Sequence, residues 1–372
     1  MTSTMGSVAM GFTEEQGMLR DVARQFVRDR APIEAVREQL ESPLGYDAAL
    51  WQEMVDLGWT GMALPEACGG AGLGIAAVIP VLEALGHGLL GTPLLNTTLA
   101  GQLLLRLGTS AEPWLERIAG GEVATVAFLD GNDWGGANTG VILNADGTLS
   151  GVKQQVGDAQ SAAFFVVVCQ QNGAPAIAVV ERGALTNGAI AANTLIDLTK
   201  RSANVDFSGA TASWSTSGDA VAAAVRDFQL IGALLVASEA TGTVHRCLET
   251  LNEYLKTRTQ FGKPIGSYQA LKHPMVDMYC GLEDCRSFIY HAAVVVTDGA
   301  LDADAEIACR MAKAKAADVI EFAGDRSIQF HGGFGFTWDC DSTLFIRRAQ
   351  WSRQCFGDAG QHRKRLAQLM FD

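Results

Sequence analysis

Short strand-like segments occupy one continuous block of this chain, and helical periodicity governs the sequence on both sides of it. From about Val123 the chain turns to brief runs rich in Val and Phe, separated by the turn pairs Asp146-Gly147, Asn172-Gly173 and Asn187-Gly188. Before this block, and again after Gly218, apolar residues recur at intervals of three and four. We therefore predict an all-β module between two helical regions.

This pattern predicts an α+β fold with an N-terminal helical domain at residues 1–120, a middle β-barrel at 121–218 and a C-terminal four-helix bundle at 219–372. Strand texture alone would also allow a sandwich in the middle. The helical period starts at Phe12, and a loop rich in Pro and Gly at residues 64–74 interrupts the first domain. Because no strand precedes the glycines of this loop, we predict a structural turn and not a phosphate-binding loop.

The charge and hydropathy of the chain exclude several classes of partner. A formal net charge of -13 would repel phosphate backbones and anionic lipid surfaces, so we expect neither nucleic-acid nor membrane binding. Apolar runs are broken before the roughly 18 to 20 residues needed to span a bilayer. No basic segment followed by an apolar core opens the sequence, so the cytoplasm is the expected location.

Cysteines and histidines indicate neither disulfides nor a metal centre. The eight cysteines include no Cys-x-x-Cys pair, and a chain of this size needs no cross-links, so reduced thiols are expected. The six histidines form no His-x-x-x-His or His-x-Glu pattern that would present ligands on one face. We therefore predict no metal site.

Two polar clusters interrupt the C-terminal helices where a bundle needs only apolar packing. The first is Arg-Thr-Gln-Phe-Gly at residues 258–262, and the second is the glycine-rich run at residues 329–337. An Arg at a helix end can pair with a pyrophosphate, an aromatic ring can flank a planar heterocycle, and glycine lets the backbone approach a ligand. Either cluster alone could be an ordinary helix terminus. Together they favour dinucleotide binding.

Several motifs, in order and over nearly the whole length, resemble the acyl-CoA dehydrogenase family. The N-terminal region has Leu-Gly-Trp-Thr-Gly at residues 57–61 and Leu-Glu-Ala-Leu-Gly at 82–86, and the C-terminal region has Arg-x-Gln-Phe-Gly-x-Pro-Ile at 258–265 and Gln-x-x-Gly-Gly-x-Gly at 329–335. The resemblance implies a helical domain, a β-barrel and a four-helix bundle. This architecture agrees with the segmentation predicted from sequence texture.

The resemblance implies FAD as cofactor, an acyl-CoA thioester as substrate and an electron-transfer flavoprotein as electron acceptor. In such enzymes a carboxylate base removes the α-hydrogen as a proton, while the β-hydrogen leaves as hydride to the flavin. It also implies that Arg258 and Gln329 reach the FAD of a neighbouring subunit. The predicted cofactor-binding residues are Arg258, Gln260, Phe261, Gln269, Gln329, Gly332, Gly333 and Gly335.

The resemblance breaks at the flavin ring and at the catalytic base. Residues 128–136 lack the Thr-Glu-Pro-x-x-Gly-Ser pattern of the family, and residues 151–157 lack its Trp-Ile-Thr strand. The usual base position holds Gly357, and the alternative base position on the long helix holds Gly232. This pattern resembles one subunit of the heterotetrameric acyl-CoA dehydrogenases of bacterial steroid side-chain degradation, in which two different chains share fewer flavins.

A base within this chain stays open at two positions. Glu239 lies two turns beyond Gly232 on the same helix face, and it either abstracts the proton or pairs with a neighbour at a bundle seam. Asp358, beside the usual base position, is the second candidate.

Two groups of basic residues, Arg347-Arg348 and residues 363–365, occur near the end of this acidic chain. They would meet CoA phosphates or form subunit contacts.

Three functions follow from these observations. The leading hypothesis is a subunit of a heteromeric acyl-CoA dehydrogenase, whose second dehydrogenase-like subunit supplies the flavin-ring pocket and the base. A second hypothesis is a self-sufficient homotetramer that uses Glu239. A third is a non-catalytic structural partner of another dehydrogenase. The acyl group is suggested only by the steroid resemblance.

Overall fold

The computed structural model describes residues 14–371, so Phe12, where the helical period starts, lies outside the described residues. Within the described part of the N-terminal region there are six α-helices, as the apolar period predicts. Their bounds are α1 Glu14–Arg30, α2 Ile33–Gln39, α3 Ala48–Asp56, α4 Ile75–His87, α5 Leu94–Leu105 and α6 Glu112–Ala119.

The glycine-rich loop between α3 and α4 folds back on itself. Gly69, Gly72 and Gly74 have positive φ angles, a backbone region that favours glycine. A side chain on Gly70 would overlap the carbonyl group of Leu64. These close approaches are internal to the turn, as expected of a structural loop.

Nine strands form the middle region, in two sheets. The larger sheet contains β1, β2, β3, β5, β6 and β9, and the smaller contains β4, β7 and β8. Asn172 and Gly173 both have positive φ angles and form the turn of the β5–β6 hairpin, as predicted. The strand bounds are β1 Ala124–Ala127, β2 Ile142–Leu143, β3 Leu149–Ser150, β4 Val152–Gly157, β5 Phe164–Gln171, β6 Ala174–Glu181, β7 Ile190–Ala192, β8 Ser202–Asp206 and β9 Trp214–Ser217.

Both faces of β5 are buried. Phe164 and Val166 join the core that packs against the helices, whereas Phe165 and Val167 join a second core shared with the smaller sheet. Within the described residues, the strands of this middle region form two separate sheets and no closed barrel is found, so the barrel stays a prediction. Strand β4 pairs with β8 in the smaller sheet, with a register shift between Lys153 and Val156, and the described ladders do not join it to the larger sheet.

The C-terminal region is a bundle around the 39-residue helix α7. Its elements are α7 Asp219–Thr257, the short hairpin β10 Thr259–Gln260 and β11 Lys263–Pro264, then α8 Gln269–Val295, α9 Ala303–His331, α10 Ser342–Gln354 and α11 Ala359–Phe371. One apolar core runs continuously from the N-terminal helices through the sheet into this bundle. The boundaries near residues 120 and 218 therefore stay a prediction.

Helix α7 is long and apolar enough to cross a membrane, with a mean hydropathy of 1.7 over its most apolar window. As expected from the sequence, Gly232 and Glu239 interrupt the apolar run of this helix. Within the fold, 67% of that window is buried inside the protein. This is the environment of a core helix of a bundle.

Candidate cofactor and substrate site

The two polar clusters predicted from the sequence meet at one end of the bundle. Tyr254 lies in the last turn of α7, and its ring packs on the ring of His331 at the end of α9, with the centroids 4.3 Å apart. The hairpin with Arg258 starts directly after α7, and the glycine turn starts at Gly332, directly after α9. The structure therefore brings together both segments predicted to bind the dinucleotide.

The β10–β11 hairpin presents its side chains to solvent. Phe261 is 90% exposed at the tip, and both Phe261 and Gly262 have positive φ angles. Arg258 is exposed, and no hydrogen bond or ion pair of its guanidinium lies within residues 14–371. A guanidinium and an aromatic ring thus face outward together, and both are free to contact a molecule bound from outside the chain.

The glycine turn after α9 is equally accessible. Gly332 adopts a positive φ of 61°, and a side chain on the buried Gly335 would overlap the carbonyl group of Ile328. Phe334 and Phe336 nearby are 48% and 73% exposed. Of the eight predicted cofactor-binding residues, seven are exposed, namely Arg258, Gln260, Phe261, Gln269, Gln329, Gly332 and Gly333.

Aromatic side chains pack together between the loop after β1 and Gly357, the two segments that lack the family motifs for the flavin ring and the base. The Trp134 ring, from the loop after β1, lies 4.4 Å from the Phe356 ring, which directly precedes Gly357. Phe128 and Phe228 pack around this pair at centroid distances of 6.0 Å and 5.5 Å. We name these four residues, Phe128, Trp134, Phe228 and Phe356, the aromatic plug.

The plug also covers the second base position, Gly232 on α7. A Cβ atom added to Gly232 would lie 2.5 Å from Cζ and 2.6 Å from Cδ1 of Phe356, far inside van der Waals contact. Only glycine leaves room for the ring. Neither Gly232 nor Gly357 can supply a carboxylate, and the space beside both is occupied by protein.

A buried lysine holds the loop that carries Trp134. The Lys153 side chain is fully buried, and its Nζ donates to Oδ1 of Asp130 at 2.6 Å, to the Phe128 carbonyl at 2.8 Å and to the Asn138 carbonyl at 2.6 Å. Burial lowers the pKa of Lys153, and Asp130 opposes that shift. Because Lys153 lies in β4, these hydrogen bonds link the loop that carries Trp134 to that strand.

A cavity of about 240 Å³ remains beside the plug, between α5, the sheet and the end of α10. One wall is apolar, with Leu95 and Leu99, and the other carries Asp158 and Lys200. Burial raises the pKa of Asp158 to about 6, although Asn96 donates to its carboxylate at 2.6 Å. The cavity is polar at one end and apolar at the other.

Glu239 lies in a buried ionic cluster behind this cavity. Its Oε1 accepts from Lys200 Nζ at 2.6 Å and lies 3.3 Å from Nη1 of Arg348. Arg348 in turn donates to Asp197 at 2.5 Å. Lys200 lines the cavity and Glu239 does not. This geometry favours the bundle-seam pairing of Glu239, and its role as a base stays a prediction.

The remaining polar candidates have structural partners within the chain. Oδ1 of Asp358 accepts from the backbone N–H of Gln361 at 2.8 Å, at the start of α11. Arg348 is fully buried, so it can reach neither CoA phosphates nor another subunit, which corrects that expectation. Arg363 pairs with Asp318, and Arg365 pairs with Glu306.

One cluster was missed because its members are distant in sequence. His87, at the end of α4, lies 2.7 Å from Glu249 through Nε2 and Oε2, and His245 Nε2 lies 3.4 Å from the other carboxylate oxygen. His245 and Glu249 are one turn apart on α7, and this i,i+4 pair was the only local signal. Packing of α4 on α7 supplies the third side chain.

Comparison with known proteins identifies the class. The acyl-CoA dehydrogenase N-terminal domain matches residues 13–122, and the acyl-CoA dehydrogenase C-terminal domain matches residues 223–371. The chain belongs to the acyl-CoA dehydrogenase family, which confirms the resemblance. The domain order of helices, sheets and helices agrees with that membership.

One sequence relative and two solved structures match nearly the whole chain. The acyl-CoA dehydrogenase IpdE2 of Mycolicibacterium smegmatis is 33% identical over 360 residues, covering 96% of this chain and 100% of the relative. The ChsE4-ChsE5 complex from Mycobacterium tuberculosis contains a chain with a TM-score of 0.85 at 26% identity, covering 97% of this chain and 98% of that one. The Tcur3481-Tcur3483 steroid acyl-CoA dehydrogenase gives a TM-score of 0.82 at 26% identity, with 96% and 98% coverage.

Proposed function

We propose that this chain is one subunit of a heteromeric acyl-CoA dehydrogenase that introduces an α,β double bond into an acyl-CoA. A second dehydrogenase-like subunit completes the site, FAD is the cofactor, and an electron-transfer flavoprotein takes the electrons. The observation that carries the proposal is a division within the chain. The residues predicted to bind the dinucleotide are exposed, while Phe356 of the aromatic plug packs directly over Gly232 at the vacant base position.

The separation of these two regions supports a shared site. Gly232, beneath the plug, and Arg258, at the end of α7, are 26 positions apart along one helix. At 1.5 Å per residue they lie roughly 39 Å apart. One dinucleotide does not span that distance. Arg258, Phe261 and Gln329 are therefore assigned to an FAD whose ring is seated on another chain.

The residues of this chain fit the dinucleotide end of FAD and do not fit its ring. Arg258 can form a bidentate pair with a pyrophosphate. Phe356 fills the space above Gly232 so closely that even a methyl group is excluded. FAD, when bound, accepts the β-hydrogen as hydride. The proton-abstracting base is assigned to the partner subunit.

The relatives support both the heteromeric state and the substrate class. The ChsE4-ChsE5 structure is a complex of two different proteins, and the Tcur3481-Tcur3483 enzyme is a steroid acyl-CoA dehydrogenase. We assign to this chain a CoA thioester with a bulky, steroid-derived acyl group. The expected compartment is the cytoplasm.

Flavin content per chain tests this proposal. The chain is purified alone and also co-expressed with a second acyl-CoA dehydrogenase-like subunit encoded nearby, and absorbance at flavin wavelengths is divided by protein concentration. We expect a colourless lone chain and a yellow complex with about one FAD for each two chains. One FAD per lone chain, bleached by an acyl-CoA, would refute the proposal and revive the self-sufficient homotetramer.

An Arg258→Ala variant separates a cofactor-binding subunit from a purely structural partner. Arg258 is exposed and has no partner within residues 14–371, so its replacement should lower flavin occupancy of the complex without unfolding the chain. Arg28→Ala, an exposed arginine on α1, is the control. If both variants keep full flavin occupancy, this chain does not contact the cofactor.

A further inference from the structure

The cluster of His87, His245 and Glu249 is separate from the aromatic plug and from the two segments predicted to bind the dinucleotide. On α7, Glu249 precedes Arg258 by nine residues, about 14 Å along the helix. Nδ1 or Nε2 of each histidine and a carboxylate oxygen of the glutamate all lie within 4.8 Å of one another. The cluster borders a cavity of about 400 Å³ between α1, α4 and α7. The side chains of His87, His245 and Glu249 are 28%, 26% and 44% exposed, so solvent reaches them.

We propose that His87, His245 and Glu249 bind a divalent transition-metal ion of the zinc class, with a fourth coordination position open to the cavity. Two imidazoles and one carboxylate are a ligand set that zinc accepts in proteins. A tetrahedral ion with ligand bonds of about 2.0 Å sets its ligand atoms roughly 3.3 Å apart. Glu249 Oε1 lies 3.4 Å from His245 Nε2, which matches this spacing. Glu249 Oε2 lies 2.7 Å from His87 Nε2, so His87 must give up that contact to bind the ion beside Oε1.

Arginine side chains around the cluster make the binding of a metal cation less favourable. Nη2 of Arg286 lies 3.3 Å from Nδ1 of His245, and it can only donate a hydrogen bond there. A ring nitrogen that binds a metal carries no proton. Binding through Nε2 therefore requires the proton of His245 to be on Nδ1, where it faces the guanidinium of Arg286. Arg24, Arg28 and Arg246 line the same cavity. They disfavour a second cation and favour water, hydroxide or a small anion as the fourth ligand.

An occupied site would join two parts of the fold. His87 belongs to α4 of the N-terminal helices, whereas His245 and Glu249 belong to α7 of the C-terminal bundle. The ion would replace the hydrogen bond between His87 and Glu249 with a coordinate link across the same seam. Metal binding should therefore stabilise the packing of α4 on α7.

The test uses the full-length chain, free of affinity tags and dialysed against EDTA. Co²⁺ is added with visible absorption as the readout, and Zn²⁺ affinity is measured by competition with a chromogenic chelator. We expect one equivalent of metal per chain, a tetrahedral d–d spectrum and a melting temperature that rises with Zn²⁺. Each of the variants His87→Gln, His245→Gln and Glu249→Gln should bind at least 10-fold more weakly.

His291→Gln, an exposed histidine on α8, is the matched control and should bind as the unmodified chain does. Absence of stoichiometric binding to the unmodified chain would overturn the proposal. Equal affinity in all four variants would overturn it as well. Sulfur-to-cobalt charge-transfer bands would assign the bound metal to a cysteine, such as the exposed Cys280, and would also refute this site.

Discussion

Replacing Gly232 by alanine tests whether Phe356 fills the vacant base position. In a helix interior, alanine is favoured over glycine by about 1 kcal/mol. Against this, the new Cβ atom would lie 2.5 Å from Cζ of Phe356, an overlap at the upper end of the overpacking range, about 3 kcal/mol. The Phe356 ring is 8% exposed and is backed by Trp134 and Phe228. We therefore expect Gly232→Ala to destabilise the protein by about 2 kcal/mol.

The assay is urea unfolding at fixed protein concentration and subunit composition, because binding to a partner shifts apparent stability. Gly17→Ala in α1 is the control, since no atom lies within 4 Å of its added Cβ, and it should stabilise by up to about 1 kcal/mol. In a Phe356→Ala background the clash is gone, so Gly232→Ala should become neutral or stabilising. If Gly232→Ala costs the same in both backgrounds, the ring does not occupy this space and the reasoning fails.

Three further perturbations probe the buried charges. Arg348→Met leaves Asp197 buried without its cation and should cost about 3 to 5 kcal/mol in urea unfolding; a cost below about 1 kcal/mol would contradict the buried pair seen here. Lys153→Met removes three hydrogen bonds. Backbone amides at 130–138 should then exchange hydrogen faster, while those of β8 stay protected. Unchanged exchange would show that other contacts hold the loop. Burial lowers the pKa of His362 from 6.5 to about 4, so the unfolded chain takes up a proton first and stability should fall by about 3 kcal/mol as pH drops from 6.5 to 4. His362→Gln should flatten that part of the pH profile, and an unaltered profile would rule out His362 as its source.

The helical regions and the two exposed polar segments at residues 258–262 and 329–335 were predictable because their signals are local. The period of three and four along α7 and the Val-rich runs of β5 and β6 report which faces are buried. Turn chemistry at Asn172-Gly173 is equally local. The short strands β3, β4, β7 and β9 carry no such signal, and the way the strands assemble depends on pairing between distant segments, such as β4 with β8.

For the candidate functional site, the tertiary structure added more than the local sequence could indicate. Sequence comparison located the two glycines at the base positions, but only the fold showed that Phe356 covers Gly232 and that Trp134 stacks on Phe356. Glu239 met the sequence criteria for a base. Lys200 and Arg348, which reach it from the segment after β7 and from α10, favour an ion-pair role that no periodicity could indicate.

The amino-acid sequence by itself determined the order of helical and β regions, the family, and the two motifs that carry Arg258 and Gln329. These features rest on hydrophobic period, turn residues and short contiguous motifs, all of which act between near neighbours in the chain. Tertiary structure decided the two separate sheets, the aromatic plug and the His87–His245–Glu249 cluster. Their members come from distant segments, and side-chain packing and electrostatics depend on distances that exist only after the chain has folded.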